Sequence, residues 1–285
     1  MRKFDGTVLR VTRALLAFLK KDKAAMQDQW NWAVGRSDAE PVLLYVRSNV
    51  EAYYGHFHLA TAQTNKADSL RPTGPFKTFH ALREAEIGDS AQAEQEAAKA
   101  LKKVQNRGDQ LALALVFARA ADIAEAQKLA DALSQDSPSD TVVQYYCLPA
   151  IRAAIRLHEN DPAGAVEILR PTVKYDLAYP ADSFNSLYPA YIRGLAYLQM
   201  GEGRMAAAEF QKLLDHPGLV GTDILGALSY LQVARAQKMM GDQSAARKSY
   251  EDFLTLWKDA DSDIPIYRQA KAEYARLRSS SNRAD

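Results

Sequence analysis

The sequence predicts an all-α protein in which about seven helix pairs stack as a right-handed solenoid, followed by one capping helix. Three observations carry this prediction. Good helix formers, such as Ala, Leu, Glu and Lys, fill long stretches of the 285 residues. A short turn sequence returns at nearly regular intervals, and small residues recur at fixed distances before and after it.

The recurring turn is Gly-Asp or a variant of it. Gly or Asn readily adopts the left-handed conformation that ends a helix, and the Asp that follows can accept hydrogen bonds from the first amides of the next helix. Successive turns are 34, 33, 33, 39, 41 and 40 residues apart. They lie at Lys21-Asp22, Gly55-His56, Gly88-Asp89, Ala121-Asp122, Asn160-Asp161, Gly201-Glu202 and Gly241-Asp242. A period of about 34 residues is typical of tetratricopeptide repeats, and the longer late spacings predict extended loops between repeats.

Small residues occupy two columns when the sequence is aligned on these turns, as expected where the two helices of a repeat meet. The column seven residues before the turn reads Ala14, Ser48, Ala81, Ala114, Ala153, Gly194 and Ala234. The column five residues after the turn reads Met26, Ala60, Ala93, Ala126, Ala165, Ala206 and Ala246. A generic helical bundle with an Ala-rich core is the alternative, but the period and the two columns together favour the solenoid.

We interpret residues 1–285 as a single array. Repeats are expected over residues 7–264, a capping helix over 265–277 and a frayed tail over 278–285. The last helix is expected to cap the array because Tyr267, Ala270, Tyr274 and Leu277 form one apolar stripe and the remaining positions are largely charged.

The charge balance excludes some classes of partner. Lys and Arg total 36 against 35 Asp and Glu, so neither nucleic acid nor an anionic membrane is expected as the main partner. No run of about 18 apolar residues occurs, so we expect no membrane insertion by this chain. Arg10 and Arg13 interrupt the first apolar stretch, which argues against a signal peptide. The single cysteine, Cys147, cannot form an internal disulfide and is expected to be buried.

Several phrases between the repeat columns resemble the helical-repeat region that follows the kinase domain in many acidobacterial serine/threonine kinases. A similar array follows winged-helix domains in related bacterial regulators. The phrases are residues 32–35, 49–55, 148–154, 188–194, 208–212 and 253–261. The resemblance covers about residues 7–277 and implies a regulatory or sensory binding module. It carries over no catalytic residue, because the catalytic parts of those proteins lie in a domain that this sequence lacks.

The remaining motifs predict no catalytic residue, no metal and no cofactor. Neither His-Arg-Asp nor Asp-Phe-Gly occurs, so phosphate transfer is not expected. The Gly-rich phrase at Gly201 follows a helix, and a dinucleotide site would need a strand there. His56 and His58 lack a third ligand nearby in sequence. The alternating aspartates that begin at Asp259 lack the Gly and Glu of a calcium loop.

The surviving hypothesis is a non-catalytic scaffold or sensor module that binds a protein or peptide. In the resembled arrays the first helices of the repeats line a concave groove, and aromatic and Arg side chains are typical binding anchors. The candidate groove residues are Tyr45, Asn49, Tyr53, Tyr188, Tyr191, Arg235 and Lys238. The alternative for the tyrosines is that they only pack neighbouring helices. Apart from Asn49, the Lys and Asn set that holds C-terminal carboxylates in chaperone-binding arrays is missing.

One alternative function and two compartments stay open at this point. The chain could be the regulatory C-terminal part of a serine/threonine kinase whose catalytic domain is absent from it. We expect a cytoplasmic protein, or an extracytoplasmic sensor part if the chain is attached to a membrane-spanning kinase.

Overall fold

The computed structural model describes residues 5–72, 75–104, 106–178, 184 and 187–281, with only the backbone described for residues 280 and 281. All regular structure in these residues is helical, and no strand occurs among them. The helices are α1 (Thr7–Leu19), α2 (Lys23–Ala33), α3 (Glu40–Tyr53), α4 (Phe57–Leu70), α5 (Phe76–Glu86), α6 (Ser90–Leu101), α7 (Arg107–Ala120), α8 (Ile123–Asp136), α9 (Leu148–His158), α10 (Pro162–Leu169), α11 (Tyr188–Gln199), α12 (Gly203–Asp215), α13 (Pro217–Val220), α14 (Ile224–Met239), α15 (Gln243–Leu256) and α16 (Pro265–Ser281). A π-helical segment, Val143–Cys147, leads into α9, and a 3-10 segment, Arg170–Tyr175, follows α10.

The helices form seven antiparallel pairs, which confirms the prediction of an all-α tetratricopeptide-repeat solenoid. We call the first helix of each pair A and the second B, so that the A helices are α1, α3, α5, α7, α9, α11 and α14. Within each pair A packs on B, and each pair packs mainly on the pairs before and after it.

The seven turns have the backbone conformation that their sequences predict. The first residue of every turn has a positive φ, from 56° at Lys21 to 88° at Gly88. In five turns the Asp side chain accepts a hydrogen bond from the amide three residues later, and these are Asp22, Asp89, Asp122, Asp161 and Asp242. His56 and Glu202 make no such bond. The left-handed residue and the cap together set where each B helix begins.

Both small-residue columns are buried at the contacts between A and B helices. Ala126 and Ala206, for example, are 0% exposed. At Gly194 the reason for a small residue is visible, because a Cβ atom there would lie 2.7 Å from Cε1 of Phe210 on the partner helix. The size of the residue in the column therefore sets how closely the two helices approach.

The solenoid closes on itself, because the last repeat packs against the second. The indole Nε1 of Trp257 donates a hydrogen bond of 2.9 Å to the carbonyl of Tyr53, across 204 residues of sequence. The amide of Asp261 donates a bond of 3.0 Å to the carbonyl of Gly55. Trp257 is fully buried. We use the name closure contact for these bonds together with the contacts that Ile266 and His58 make at the same place.

The start of α16 extends the closure contact to the third repeat. The amide of Ile266 donates to the carbonyl of Ile87 at 3.1 Å. On the surface, His58 lies 3.4 Å from Asp261 and 3.1 Å from Asp263, and these two carboxylates raise its pKa. The protonated, attractive form of His58 is therefore favoured at the closure.

The last helix begins at Pro265, as the sequence predicts, and places Ile266, Tyr267, Ala270 and Leu277 in the core. It continues to Ser281, beyond the expected end at residue 277. Residues 278–281, which we expected to fray, are thus helical, because the sequence there contains no Gly or Pro to end the helix. The rest of the expected tail, residues 282–285, lies outside the described residues.

Ala126→Trp and Ala206→Trp are expected to lower the free energy of unfolding by about 1–3 kcal/mol or more, because the larger side chain overpacks a contact between A and B. Urea denaturation measures the effect. The matched controls are Ala124→Trp and Ala208→Trp, which make the same change at exposed positions of the same helices. Equal denaturation midpoints for a variant and its control would contradict this account of the columns.

Trp257→Phe is expected to loosen the closure contact, because it removes the donor to Tyr53 and leaves that carbonyl without its partner. The expected loss of stability is about 1–3 kcal/mol. Amide hydrogen exchange should accelerate at Asp261, whose own bond crosses the same contact. Tyr274→Phe is the control, since it removes a hydrogen bond between the adjacent helices α15 and α16 only. Unaltered exchange at Asp261 in Trp257→Phe would show that the indole does not hold the ends together.

Candidate binding sites inside the ring and at its closure

The inner faces of the A helices surround a central cavity of about 310 Å³. Side chains of α1, α3, α5 and α11 supply most of its wall. The remainder comes from Ile224 of α14 and from the extended connection between α12 and α14, residues 216–223, which we call the insert. The lining residues are Leu15, Tyr45, Val46, Asn49, Phe79, Leu82, Arg83, Glu86, Tyr188, and residues 218–224.

The insert occupies part of the concave side that the sequence led us to expect as an open groove. It contains the short helix α13 and ends at Asp223, the N-cap of α14. Val220 in this segment is 6% exposed. Close behind it, a Cβ atom on Gly226 would lie 3.0 Å from Cε2 of Tyr53, so α14 approaches α3 directly. The space that the insert and the A helices line is a partly enclosed cavity.

Arg83 of α5 is the main cation of the cavity wall and is 6% exposed. Its guanidinium donates to Ser48 Oγ at 3.3 Å, to Thr64 Oγ1 at 3.1 Å and to Asn49 Oδ1. It also lies 3.4 Å from Nδ1 of His80. Since Arg only donates, Nδ1 must accept, and burial together with the charge of Arg83 lowers the pKa of His80 well below its ordinary value. All four partners are therefore uncharged.

Glu86, the anion next to Arg83 on α5, belongs to a separate buried group. It accepts hydrogen bonds of 2.6 and 3.0 Å from Nε and Nη2 of Arg119. The hydroxyl of Tyr188 donates to it at 2.5 Å. The carboxylate and the guanidinium of this group balance each other, so its net charge is close to zero.

Asp223 of the insert is the second acidic residue of the wall. Its carboxylate accepts a hydrogen bond of 2.8 Å from the amide of Leu225 and so caps α14. Burial raises its pKa from 3.8 to about 6, although the amide of Leu225 and the charge of Arg83 act in the opposite direction. A carboxyl with this pKa can accept or release a proton near neutral pH.

Two of the expected groove residues belong to the core. Tyr188 and Tyr191 are each 1% exposed, so they offer almost no surface to an open groove, although Tyr188 contributes to the wall of the central cavity. Tyr188 reaches Glu86, and the hydroxyl of Tyr191 accepts a bond of 3.2 Å from Gln232 of α14. The physical reason is that Glu86 of α5 and Gln232 of α14 satisfy the two hydroxyl groups inside the protein.

The other expected groove residues lie in four different places. Tyr45 and Asn49 line the central cavity. Arg235 pairs with Glu273 of α16 at 2.9 Å, which ties the last repeat to its cap. Lys238 is exposed on α14. Tyr53 lies in a second hollow, described next, so the seven candidates do not converge on one surface.

A larger hollow of about 610 Å³ lies beside the closure, and we call it the terminal cleft. Its wall is mainly apolar and aromatic, with one cation and one anion. The lining residues are Phe18, Leu19, Lys21, Tyr53, Tyr54, Leu213, Leu214, Pro217, Val220, Gly221, Gly226, Tyr230, Asp252, Thr255 and Leu256. Val220 and Gly221 line both hollows, so the insert separates the terminal cleft from the central cavity.

Sequence reasoning missed Arg83, Asp223 and the insert. The repeat spacing gave no signal for Arg83, because Arg83 lies five residues before the turn at Gly88 whereas Asn49 lies six residues before the turn at Gly55. The insert was anticipated only as a longer loop, without its placement inside the ring.

The weak motifs of the sequence lie on repeat turns and on the closure. Gly201 ends α11 with a φ of 80°. Nδ1 of His56 lies 3.0 Å from Oε2 of Glu51, and His58 lies at the closure. In the described part of the chain, no group of three or more His, Cys, Asp or Glu side chains is arranged to hold a metal ion. Nor does any helix described have the length and apolar character needed to cross a membrane.

Comparison with known proteins gives the fold alone. No protein-family model matches the sequence, and no curated protein matches it. A tetratricopeptide repeat protein from Parabacteroides merdae is similar in structure, with a TM-score of 0.51 and 11% identity over 93% of this chain and 97% of that one. Yeast Tom70 is similar with a TM-score of 0.55 and 12% identity, over 98% of this chain and 66% of that one. Neither likeness concerns the kinase repeat regions, so that resemblance stays a prediction.

Asp223→Asn is expected to raise the free energy of unfolding by about 1–3 kcal/mol at pH 7.5. Asn caps a helix as well as Asp does, but it brings no buried charge. Because the folded pKa of about 6 lies above the unfolded value of 3.8, the folded state binds the proton more tightly. Wild-type stability from this group therefore falls as the pH rises through about 6, and the advantage of Asn shrinks towards pH 4.

Chemical denaturation at pH 4, 6 and 7.5 measures this difference. The control is Asp242→Asn, which changes an exposed N-cap of the same geometry on α15. A difference between Asp223→Asn and wild type that is independent of pH would contradict the assignment of a buried, titrating carboxyl.

Proposed function

We propose that the chain is a non-catalytic scaffold or sensor module that binds a protein or peptide, and that it does so in the terminal cleft. The observation that carries this proposal is the apolar, aromatic wall of a hollow of about 610 Å³. Hollows of this size lie within the range of ligand pockets in proteins. Tetratricopeptide solenoids provide extended surfaces of this kind as a consequence of repeat stacking.

The wall of the cleft suits an apolar segment of a polypeptide. Tyr53, Tyr54 and Tyr230 supply aromatic area with a hydroxyl on each ring, and Tyr is enriched at the energetic centres of protein interfaces. Leu19 is 39% exposed at the edge, so part of the apolar surface already faces solvent. Lys21 and Asp252 supply charges of opposite sign at the wall, which can orient a bound segment without favouring a strongly charged one.

A regulatory role for this binding rests on the sequence resemblance to repeat regions of acidobacterial kinases. The alternative from the same resemblance is a regulatory C-terminal part of a kinase. An in-frame kinase domain upstream of Met1 in the gene would favour that alternative. Under both, the terminal cleft is the proposed contact surface, and the partner is a protein or peptide and not nucleic acid.

Tyr230→Ala is expected to weaken binding of the partner by about 1–3 kcal/mol, because it removes an aromatic anchor from the middle of the wall. The partner is first identified by pull-down and mass spectrometry, and affinity is then measured by calorimetric titration. Tyr145→Ala is the matched control, since Tyr145 is 51% exposed and lies outside the cleft. If Tyr230→Ala binds as tightly as wild type while its thermal melt is unaltered, the partner does not use the cleft.

A further inference from the structure

Among the described residues, several arginines of the A helices are buried or half-buried, and all of them except Arg83 lie within ion-pair distance of a carboxylate. Arg119 pairs with Glu86 at 2.6 Å, and Arg235 pairs with Glu273 at 2.9 Å. Arg193 lies 2.7 Å from both Asp176 and Glu209. Within the described residues, Arg83 has no carboxylate at ion-pair distance. Arg83 is therefore the exception among the buried or half-buried arginines of the A helices.

A buried guanidinium without an ion-pair partner is costly, because its neutral hydrogen-bond partners do not compensate the lost hydration of the charge. Glu84 and Asp223 favour the charged form of Arg83 only from beyond ion-pair distance. In Arg83 the cost is increased by the Nε atom, which is buried and makes no hydrogen bond to any described residue. Nε of Arg193 also lacks a hydrogen bond, but that guanidinium has two carboxylates beside it. Arg83, unlike Arg193, also lines a cavity with room for another molecule.

We propose that the central cavity is a binding site for a small organic monocarboxylate whose carboxylate pairs with Arg83. The planar guanidinium presents several donors in a fork that matches a carboxylate, and buried Arg is well suited to this pairing. The volume of about 310 Å³ lies at the small end of ligand pockets. Apolar wall residues such as Val46, Phe79 and Leu82 suit the hydrocarbon part of the ligand.

The other charges of the wall restrict the ligand to one negative group. Glu86 is neutralised by Arg119, so Arg119 is not available as a second cation for the ligand. Asp223 adds an acidic group that repels a second carboxylate or a phosphate and can accept a hydrogen bond from a hydroxyl or amino group of the ligand. A dicarboxylate or inorganic phosphate is therefore expected to bind much more weakly than a monocarboxylate.

The proposed ligand is a free small molecule and not the end of a protein, because the volume of about 310 Å³ is at the small end of ligand pockets and the insert supplies part of the wall. A carboxylate could in principle come from either source, so the experiment includes both. The proposal is independent of the function proposed for the terminal cleft. The two hollows share only Val220 and Gly221, and either site can fail while the other holds.

The first test measures binding to the wild-type chain by thermal shift and calorimetry. The probes are lactate, isovalerate and benzoate at millimolar concentration, each compared with its neutral amide. At least one acid is expected to raise the Tm saturably, as a ligand of the folded state must, and its amide is expected not to. Succinate and phosphate test the charge limit. Acetyl-trileucine with a free and with an amidated C-terminus tests the chain end as the source.

The second test uses variants of Arg83. Arg83→Met removes the charge and keeps an unbranched side chain, and it should weaken binding of the acid at least about thirtyfold. The Tm of this variant without ligand is expected to fall modestly, because Ser48, Thr64 and Asn49 lose their donor although no carboxylate loses an ion-pair partner. Arg235→Met is the matched control: it leaves Glu273 unpaired and lowers the Tm, but it keeps the affinity for the acid. Arg83→Lys, which retains the charge without the fork, should bind with intermediate affinity.

Several outcomes would overturn the proposal. One is that none of the three acids raises the Tm of wild type, and another is that acid and amide bind alike. A third is that Arg83→Met, or Arg83→Lys if the first variant does not fold, binds the acid as tightly as wild type. Preference for phosphate, or binding of the free-acid peptide without binding of the small acids, would also reject it.

Discussion

The structure depends on the close approach of two helices at one small residue per helix in each repeat. Where the column holds Ala or Gly, the A and B helices can pack their backbones together and bury larger side chains on either side. Gly194 demonstrates the constraint, because the ring of Phe210 takes the space that a Cβ atom would need. Repetition of this contact seven times generates the curved stack, and the curvature in turn brings the last repeat back to the second.

Local chemistry explains why the repeat units could be predicted. The left-handed turn residue, the Asp cap and the small columns act within about a dozen residues, so each leaves a periodic trace in the sequence. Even Lys21 and Ala121, which are not favoured in a left-handed turn, adopt it with φ values of 56° and 74°. Their residue types do not predict the left-handed conformation; the regular spacing from the neighbouring turns does.

The candidate site was less predictable because its geometry depends on distant contacts. Tyr188 is buried and donates a hydrogen bond to Glu86, which lies 102 residues away in sequence. A tyrosine at the same helical position would line a groove if the ring were open. The insert likewise has an ordinary loop composition, and only the closed ring places it on the inner side. Tyr45, Asn49 and Tyr53 lie on the A helix α3, but which hollow each lines follows from the closure.

Closure also changes how the array should come apart. In an open repeat array, each terminal unit has one neighbour, so the ends unfold first and stability declines towards them. Here the second repeat and the last stabilise each other through Trp257 and Tyr53, so the last repeat gains a second neighbour. Opening then requires a break in the ring before any repeat from the second onward can peel away. We therefore expect this part of the chain to unfold more cooperatively than an open array, with fewer local openings that expose an end to proteases.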